Sequence, residues 1–365
     1  MFAGSAESFP GERMASGAAA MIAISPRSVQ RFVILFVFMA LCVSLTFLSR
    51  FFLTTANISN VLQQISTLII VCCGATLVMI SGGLDLSVGG VVALSGVIAA
   101  GLAGKGYPLP LCFVSGIVAG ALVGMVNGFL VSVPRVVPVI ATLGTMWVSR
   151  GLAYIYTTSY TKGALSIVTG IPAGFRILGR GTLLGAPINV LASLVIFVFF
   201  FIFVRYTVFG MRAYSLGCNE EVTSRFGVNT RKHKFLIYTI AGTLAGLSGI
   251  LLASRLSSGE PSAGLGLEFD VIVAVVLGGT SLHGGEGTVF GSLIGALFVG
   301  VLYNALNLLQ VQTFYRYLVL GSILVSAVII DETLKRRDIK FMVVGLPSRR
   351  GKVERKSEGG ASLGG

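Results

Sequence analysis

Charged residues are scarce in this chain of 365 residues, since Asp, Glu, Lys and Arg together make up only 11% of it. Soluble proteins carry roughly 25% of charged residues, so an ordinary soluble domain is excluded. Histidine occurs only twice, which is too few for a histidine-based metal cluster. Tryptophan occurs once. The sequence also lacks a G-x-x-x-x-G-K-[ST] loop, so the chain does not hydrolyse ATP through a P-loop.

The cysteines and the net charge exclude further classes. The five cysteines show no metal-binding or redox spacing, and Cys218 lies in a basic loop without a nucleophilic triad around it. The net charge of +13 is concentrated in loops and near the end of the chain, as the positive-inside rule predicts for a membrane protein. No aromatic–basic stripe accompanies this charge, so we expect no nucleic-acid partner.

Apolar residues make up 54% of the chain and recur in long windows without any charge. About 20 apolar residues span a bilayer core as a helix, and the period-2 alternation of a barrel is absent. The windows predict an all-α polytopic membrane protein with about ten transmembrane helices, at 32–49, 61–80, 86–104, 109–133, 137–157, 187–204, 235–254, 268–282, 288–309 and 316–331. The eighth and tenth windows are short, so neighbouring helices or flanking residues such as Arg316 must shelter them.

The distribution of basic residues sets the predicted orientation. With both termini in the cytoplasm, the strongly basic segment 205–234 also faces the cytoplasm. The loop 158–186 then carries three basic residues on the outer face, which is tolerated because long loops translocate largely regardless of charge. We therefore divide the chain into a disordered cytoplasmic tail over 1–31, a membrane domain over 32–331 and a basic cytoplasmic tail over 332–365.

One carboxylate, Asp85, lies in the glycine-rich segment ISGGLDLSVGG between the second and third predicted helices. A buried acid in apolar surroundings marks a structural or functional position, and paired glycines allow close helix approach or a break inside the membrane. We expect the carboxylate to accept backbone N–H bonds from the start of the following helix. A similar segment, VLGGTSLHGGEG, spans 276–287, and an internal repeat and coincidence explain it equally well. The gating residues predicted from both segments are Gly82, Gly83, Asp85, Ser87, Gly89, Gly278, Gly279, Gly284 and Gly285.

Polar side chains inside the apolar windows form a second candidate set, which comprises Gln63, Asn127, Thr142, Thr145, Trp147, Asn304 and Asn307. In hydrocarbon such groups must face other helices or a wet cavity. Either they join helices by hydrogen bonds, or they line a translocation path for a neutral, hydroxyl-rich solute such as a sugar. An ion pathway would need rows of Asp, Glu or His, which these windows lack.

The segment SLGCNEEVTSRFGVNTRKHKF carries a short amphipathic helix pattern. Its apolar residues are four apart and charged residues surround them. Such a helix either lies on the lipid headgroups or docks a cytoplasmic partner. The coupling residues predicted here are Gly217, Asn219, Glu220, Glu221, Val222, Arg225, Phe226 and Gly227.

Together with YTIAGTLAGLSGILLASRLSSGEPSAGLGLEFDVIVAVVLGGTSLHGGEGTVFGSLIGAL and NALNLLQV, these strings resemble the ribose/xylose/arabinose/galactose-type permeases of bacterial ABC importers over roughly residues 30–331. The resemblance implies a vitamin-B12-importer-like (type II) permease architecture that pairs as a homodimer or heterodimer in the bacterial inner membrane. It implies an ATPase subunit that binds ATP and Mg²⁺ and docks on 217–227 as the coupling helix, with no cofactor bound by this chain. It also implies a periplasmic or lipid-anchored binding protein that delivers a monosaccharide. Cys218 departs from the small residue that the family commonly has at this position.

On this resemblance the chain is a transport subunit and not an enzyme, and its solute is a ribose-like pentose or a related sugar. ATP binding and hydrolysis in the partner would bias a two-state arrangement of the permease chains. The alternatives are a stand-alone secondary carrier, which would need coupling-ion ligands that we do not find in the sequence, and a same-family permease for another small polar solute.

Overall fold

The computed structural model describes residues 26–163 and 167–344. Over these residues the chain forms thirteen helices and one short hairpin. The helices are α1 (Pro26–Leu48), α2 (Thr55–Ile80), α3 (Val88–Gly104), α4 (Leu109–Ser132), α5 (Pro138–Thr161), α6 (Ala173–Arg180), α7 (Ile188–Tyr206), α8 (Val208–Cys218), α9 (Glu220–Arg225), α10 (Thr230–Leu256), α11 (Leu267–Leu277), α12 (Val289–Leu308) and α13 (Thr313–Val344). The strands β1 (Thr182–Leu183) and β2 (Ala186–Pro187) pair antiparallel.

Each of the ten predicted windows contains one helix, namely α1–α5, α7 and α10–α13. Five of the described helices, α2, α4, α7, α10 and α12, are long and apolar enough to cross a membrane by length and composition. Shorter apolar stretches lie at Leu35–Leu48, Val88–Gly104 and Phe314–Ile329. The all-α membrane class thus agrees with the structure, while the number of membrane crossings stays a prediction.

Helices α1, α2 and α10 begin five or six residues before their predicted windows, and the ends of α11 and α13 differ most from the prediction. The window 268–282 predicts a helix that continues past Gly278, but α11 ends at Leu277, because Gly279 takes a left-handed conformation (φ +85°) that ends helices. Helix α13 continues beyond 331 to Val344, so the first part of the segment predicted as a basic tail is helical. Most of the predicted N-terminal tail and residues 345–365 lie outside the described residues.

Helix α10 forms the centre of the bundle and packs against α4, α3 and α2. Its crossing with α4 brings glycine against glycine: a Cβ added at Gly242 would lie 2.5 Å from the Gly120 carbonyl oxygen and 2.7 Å from Gly124 Cα. A Cβ added at Gly124 would lie 2.5 Å from the carbonyl oxygen of Tyr238. Small residues allow the two backbones to approach this closely, as in other membrane helix bundles.

The chain between α10 and α11 runs without helical structure alongside α3. A Cβ added at Gly259 would lie 3.1 Å from Val97 Cα, and one at Gly264 would lie 3.5 Å from Gly89 Cα. Helix α11 therefore begins well inside the bundle, and its eleven residues extend only about 16 Å at 1.5 Å per residue. The polar residues at its N-terminus are consequently surrounded by other helices.

Arg150 on α5 holds this non-helical segment in place. Its Nη1 donates to the carbonyl oxygens of Pro261 at 2.8 Å and Ala263 at 2.5 Å. Backbone groups that no helix pairs must find partners elsewhere when they lie inside a membrane bundle. The guanidinium of Arg150 supplies those partners.

We expect Gly242→Ala to lower the thermal stability of the protein, because the added methyl group meets backbone atoms that cannot rotate away. Overpacking of this kind costs about 1–3 kcal/mol. The matched control is Gly144→Ala on α5, where an added Cβ meets nothing within 4 Å and helix propensity contributes up to about 1 kcal/mol in favour of Ala. Melting temperatures of the detergent-purified variants measure the difference, and equal values would rule out the close glycine contact.

Candidate coupling and gating site

The turn between α2 and α3, residues 81–87, is tightly enclosed. Gly82 takes a left-handed conformation (φ +79°), which glycine adopts at low steric cost. A Cβ added at Gly83 would lie 2.5 Å from the Tyr238 hydroxyl oxygen, and this hydroxyl donates to the Leu84 carbonyl at 3.3 Å. The turn therefore needs one glycine for its backbone conformation and one for its contact with α10.

Asp85 lies in this turn, is only 5% exposed and holds the start of α3. Its Oδ1 accepts hydrogen bonds from the backbone N–H of Ser87 at 2.8 Å and from the Ser87 hydroxyl at 2.6 Å, which confirms the backbone bond expected from the sequence. Desolvation disfavours the charged form and raises the pKa of the Asp85 carboxyl, and the two bonds from Ser87 oppose that increase. Its Oδ2 accepts no hydrogen bond from any residue that the structure describes.

Ser87 links Asp85 to helices α4 and α5. Asn127 Nδ2 donates to Ser87 Oγ at 2.8 Å, and the Thr145 hydroxyl donates to Asn127 Oδ1 at 2.6 Å. Thr142 Oγ1 accepts the backbone N–H of the residue after Asp85 at 3.1 Å. Three of the side chains predicted for a solute path are thus brought together in one buried network that positions the turn.

The segment that follows α11 contacts this turn directly. The Gly285 N–H donates to the Ile80 carbonyl oxygen at 2.8 Å, and a Cβ added at Gly284 would lie 2.7 Å from Gly82 Cα. Gly279, Gly284 and Gly285 all have positive φ angles. The two similar glycine-rich segments of the sequence therefore meet at one point.

Helix α8 brings a third segment to the same point. A Cβ added at Gly217 would collide with the Ile80 carbonyl oxygen and with the Gly285 nitrogen, and one at Gly284 would lie 3.0 Å from Gly217 Cα. We call Gly82, Gly217, Gly284 and Gly285 the glycine junction. Its contacts are backbone against backbone, so the end of α8 lies directly against both turns.

Helix α9 follows α8 after a single residue, Asn219. Asn219 caps it by accepting the backbone N–H of Val222 at 3.0 Å, and the Thr223 hydroxyl donates to the Ser215 carbonyl on α8 at 2.8 Å. These bonds fix α9 against α8. Its apolar residues nevertheless point outward, since Phe226 is 84% exposed and Val222 is 47% exposed.

The charged residues of α9 are paired within the chain. Arg225 contacts Glu221 at 2.6 Å, and Lys234 at the start of α10 contacts Glu220 at 2.5 Å. Exposed pairs of this kind contribute about 0–1 kcal/mol. They can therefore exchange partners at little cost when another protein binds.

Comparison with known proteins assigns the chain to a family. Residues 57–328 match the family model described as the permease component of the branched-chain amino acid transport system. The chain belongs to this family. Its matched region includes the whole glycine junction and α9. No solved structure matches the chain.

Curated relatives in the same comparison are sugar permeases by name. The ribose import permease protein of Bacillus subtilis is 40% identical over 80% of this chain and 89% of its own length. The L-arabinose ABC transporter permease protein of Azospirillum brasilense is 37% identical over 83% and 88% of the two chains. The D-allose transport system permease protein of Escherichia coli (strain K12) is 33% identical over 79% and 86%.

Membership in the family accounts for the missing P-loop. A permease component of an ABC importer is a transport subunit, and a separate subunit hydrolyses the ATP. The chain is accordingly a multi-pass membrane permease and not an enzyme.

The other residues predicted for a solute path lie apart from the buried network. Gln63 accepts hydrogen bonds from side chains of α7 and α10 through its backbone carbonyl. Asn304 exchanges two side-chain hydrogen bonds with Asn57, at 2.7 and 3.0 Å, which joins α12 to α2. Trp147 is 64% exposed on the outside of the described bundle, and Asn307 is exposed near the end of α12.

A charged cluster that was not predicted from the sequence lies at the N-terminus of α11. Asp270 accepts hydrogen bonds from the Tyr303 hydroxyl and from Arg316 Nη2, the latter at 3.3 Å. The Arg316 guanidinium also lies 3.4 Å from the centroid of the Tyr303 ring. Arg316 is the sequence feature that could have indicated this cluster, because a cation at the edge of an apolar window requires an anionic partner from another helix.

We expect Asp85→Ala to lower the amount of folded permease, because the Ser87 N–H and hydroxyl lose their acceptor. A buried hydrogen-bonding group left without its partner costs about 1–3 kcal/mol. Asp85→Asn keeps an oxygen acceptor at the same position and should retain more folded protein and more transport. The yield of monodisperse protein and its melting temperature measure the effect, and wild-type values for both variants would show that Asp85 has no such role.

Proposed function

We propose that this permease imports a monosaccharide, a ribose-like pentose or a related sugar, across the cytoplasmic membrane of a bacterium. The sugar-permease names of relatives that are 33–40% identical over most of both chains support the choice of solute. The observation that carries the proposal is the position of Gly217. Gly217 lies near the end of α8, shortly before the exposed helix α9, and contacts both glycine-rich turns. A partner bound to α9 therefore acts on α3, which begins at the first turn, and on α11, which ends at the second.

In this proposal about ten helices cross the membrane in a vitamin-B12-importer-like arrangement. The N-terminal tail 1–31, the segment 205–234 and the basic tail 332–365 face the cytoplasm, in keeping with their Lys and Arg content. Two permease chains, identical or homologous, enclose the path. A periplasmic or lipid-anchored binding protein delivers the sugar from the other side.

An ATPase subunit, which binds ATP and Mg²⁺, docks on α9 from the cytoplasm. The apolar side chains of Val222 and Phe226 enter an apolar groove of that subunit, as an amphipathic helix does in other complexes. Around them the structure has a groove of about 610 Å³, whose walls come from α7, α8 and α9. Docking therefore buries apolar surface that the isolated chain exposes.

The two states of the transporter then differ at the turns. A shift of α8 moves Gly217, and the backbone contacts of Gly217 carry the movement to 81–87 and to 278–287. Helix α3 begins at the first turn and α11 ends at the second, so both helices shift together. The chain supplies a two-state element, and its contacts with the solute must stay weak enough to release it.

A branched-chain amino acid is the second candidate solute, and the description of the family model favours it. Leucine differs from a monosaccharide in its two charges and its apolar side chain. Competition by leucine therefore separates the two candidates in the assay below.

Uptake should depend on the separate ATPase. We expect proteoliposomes with the permease, its ATPase and loaded binding protein to accumulate D-ribose when ATP is enclosed, and those with the permease alone to accumulate none. Radiolabelled sugar uptake with and without excess leucine is the measurement. Ion-driven uptake by the permease alone would identify a secondary carrier, and inhibition by leucine through its own binding protein would indicate the amino-acid solute.

Docking should depend on the aromatic residue of α9. We expect Phe226→Ala to reduce co-purification of the ATPase by about tenfold or more, because buried aromatic anchors contribute on the order of 2 kcal/mol or more to an interface. Glu221→Ala is the matched control, since a charge at the rim contributes little. Both variants should insert and melt like the wild type.

Cross-linking tests the same surface independently. A cysteine introduced at position 222, with Cys218→Ser in the background, should bridge to the ATPase. A bridge to the binding protein instead would mean that α9 faces the opposite side of the membrane.

A further inference from the structure

A cavity of about 230 Å³ lies at the N-terminus of α11. Its walls come from α2, α10, α11, α12, α13 and the non-helical segment before α11. Gln64 on α2 lines it, and this residue is about 24 Å along the helix from Ile80 at 1.5 Å per residue. The cavity is therefore separate from the glycine junction and lies toward the other end of the bundle.

The cavity has the size of a single small solute. At ~30 Å³ of liquid volume per water molecule it corresponds to about seven or eight waters. Pockets for drug-sized ligands start at about 300 Å³. A volume below that range suits one sugar ring.

Donors and acceptors of several kinds are among its lining residues. They are Gln64, Thr67, Arg255, Asp270, Tyr303 and Arg316. A hydroxyl group both donates and accepts hydrogen bonds, and this set supplies carboxylate and amide oxygens as acceptors and guanidinium and amide N–H groups as donors. Neutral solutes with several hydroxyl groups match it.

Asp270 and Arg316 are held in place before any solute enters. The Asp270 side chain is 12% exposed and accepts from Tyr303 and Arg316 through different oxygens. The Arg316 side chain is 37% exposed and lies over the Tyr303 ring. The carboxylate is therefore oriented by two donors, while Arg316 keeps N–H groups available to a further acceptor.

Arg255 faces the same cavity from α10. Its Nη1 donates to the Gln63 carbonyl at 3.1 Å, which fixes the guanidinium against α2. A guanidinium has five N–H donors, so further donors remain for hydroxyl oxygens. The cavity is thus lined by two arginines and one carboxylate.

The cavity is also lined by apolar side chains. Ile65 and Leu68 come from α2, Leu252 from α10, and Leu265 and Leu267 from the start of α11. A sugar ring presents hydroxyl groups at its edge and C–H groups on its faces. The lining offers partners for both, since it contains polar and apolar side chains.

We propose that this cavity is a binding subsite for a neutral monosaccharide. Asp270 accepts hydrogen bonds from sugar hydroxyls, Arg255 and Arg316 donate to hydroxyl oxygens, and the leucines contact a C–H face of the ring. The proposal rests on the proposed function, because it needs a sugar as the solute. The predicted path residues Asn127, Thr142 and Thr145 lie elsewhere, in the buried network around the turn.

Protection of a cysteine reporter tests the subsite directly. We expect D-ribose to slow the modification of Gln64→Cys by methyl methanethiosulfonate in the permease–ATPase complex in nanodiscs. The background carries Cys42→Ser and Cys218→Ser, since these two cysteines are the ones that are not buried. Occupancy at a sugar concentration about twice Kd slows the reaction about threefold. Ser49→Cys, outside the cavity, is the control and should react at the same rate with and without sugar.

Two variants test which side chains bind the sugar. Asp270→Asn should weaken protection about tenfold in sugar concentration, which corresponds to the loss of one hydrogen bond to a charged group. Tyr303→Phe removes a donor that orients Asp270 and should weaken protection as well. Arg50→Gln, an exposed arginine near the same end of the bundle, should leave protection unchanged. Melting temperatures identify a variant that fails to fold. In that case Thr67→Cys, on the same wall as Gln64, serves as a second reporter in a protein that keeps Asp270 and Tyr303.

The outcomes separate this proposal from the proposed function. ATP-driven ribose uptake without protection at either reporter overturns the subsite and leaves the importer intact. Protection together with failed ATP-driven uptake supports the subsite and contradicts the proposed mode of transport. Stronger protection by D-galacturonate or by leucine than by D-ribose overturns the assignment to a neutral sugar.

Discussion

The rest of the structure depends on backbone contacts at the glycine junction. One hydrogen bond, from the Gly285 N–H to the Ile80 carbonyl, joins the end of α2 to the segment after α11. Gly217 lies against the same carbonyl. No side chain separates these three segments, so none of them can move alone without opening van der Waals gaps. The candidate coupling helix is attached to this point and not to the lipid-facing surface.

Local features of the site could be predicted from the sequence, while distant pairings could not. The bond between Asp85 and Ser87 was predictable because the two residues are neighbours in the chain. The pairing of Asp270 with Arg316 spans 46 residues, and nothing in hydropathy or spacing indicates which acid an arginine will meet. Glu220 pairs with Lys234 inside the chain, although charge alone suited a partner protein equally well.

The fold, too, has features that neighbouring residues predict and features that depend on distant packing. Charge-free windows predict helices because hydropathy is a property of consecutive residues, and each window contains one. The early end of α11 was not predictable from hydropathy, since the uncharged window continues past Leu277. Polar side chains such as Asn127 and Asn304 carry no sign of whether they face a helix or a cavity. Only the packed neighbours decide that, and here both bond to other helices.

The non-helical segment 257–266 also constrains how the sequence can change. Surface loops usually tolerate insertions, but this one sets where α11 begins. Arg150 binds the carbonyl groups of Pro261 and Ala263, and glycines of the segment pack directly against α3. An inserted residue would displace these contacts and change where α11 begins relative to Tyr303. The length of this segment is therefore as restricted as the identity of a core residue, and substitutions there should be accepted far more readily than insertions or deletions.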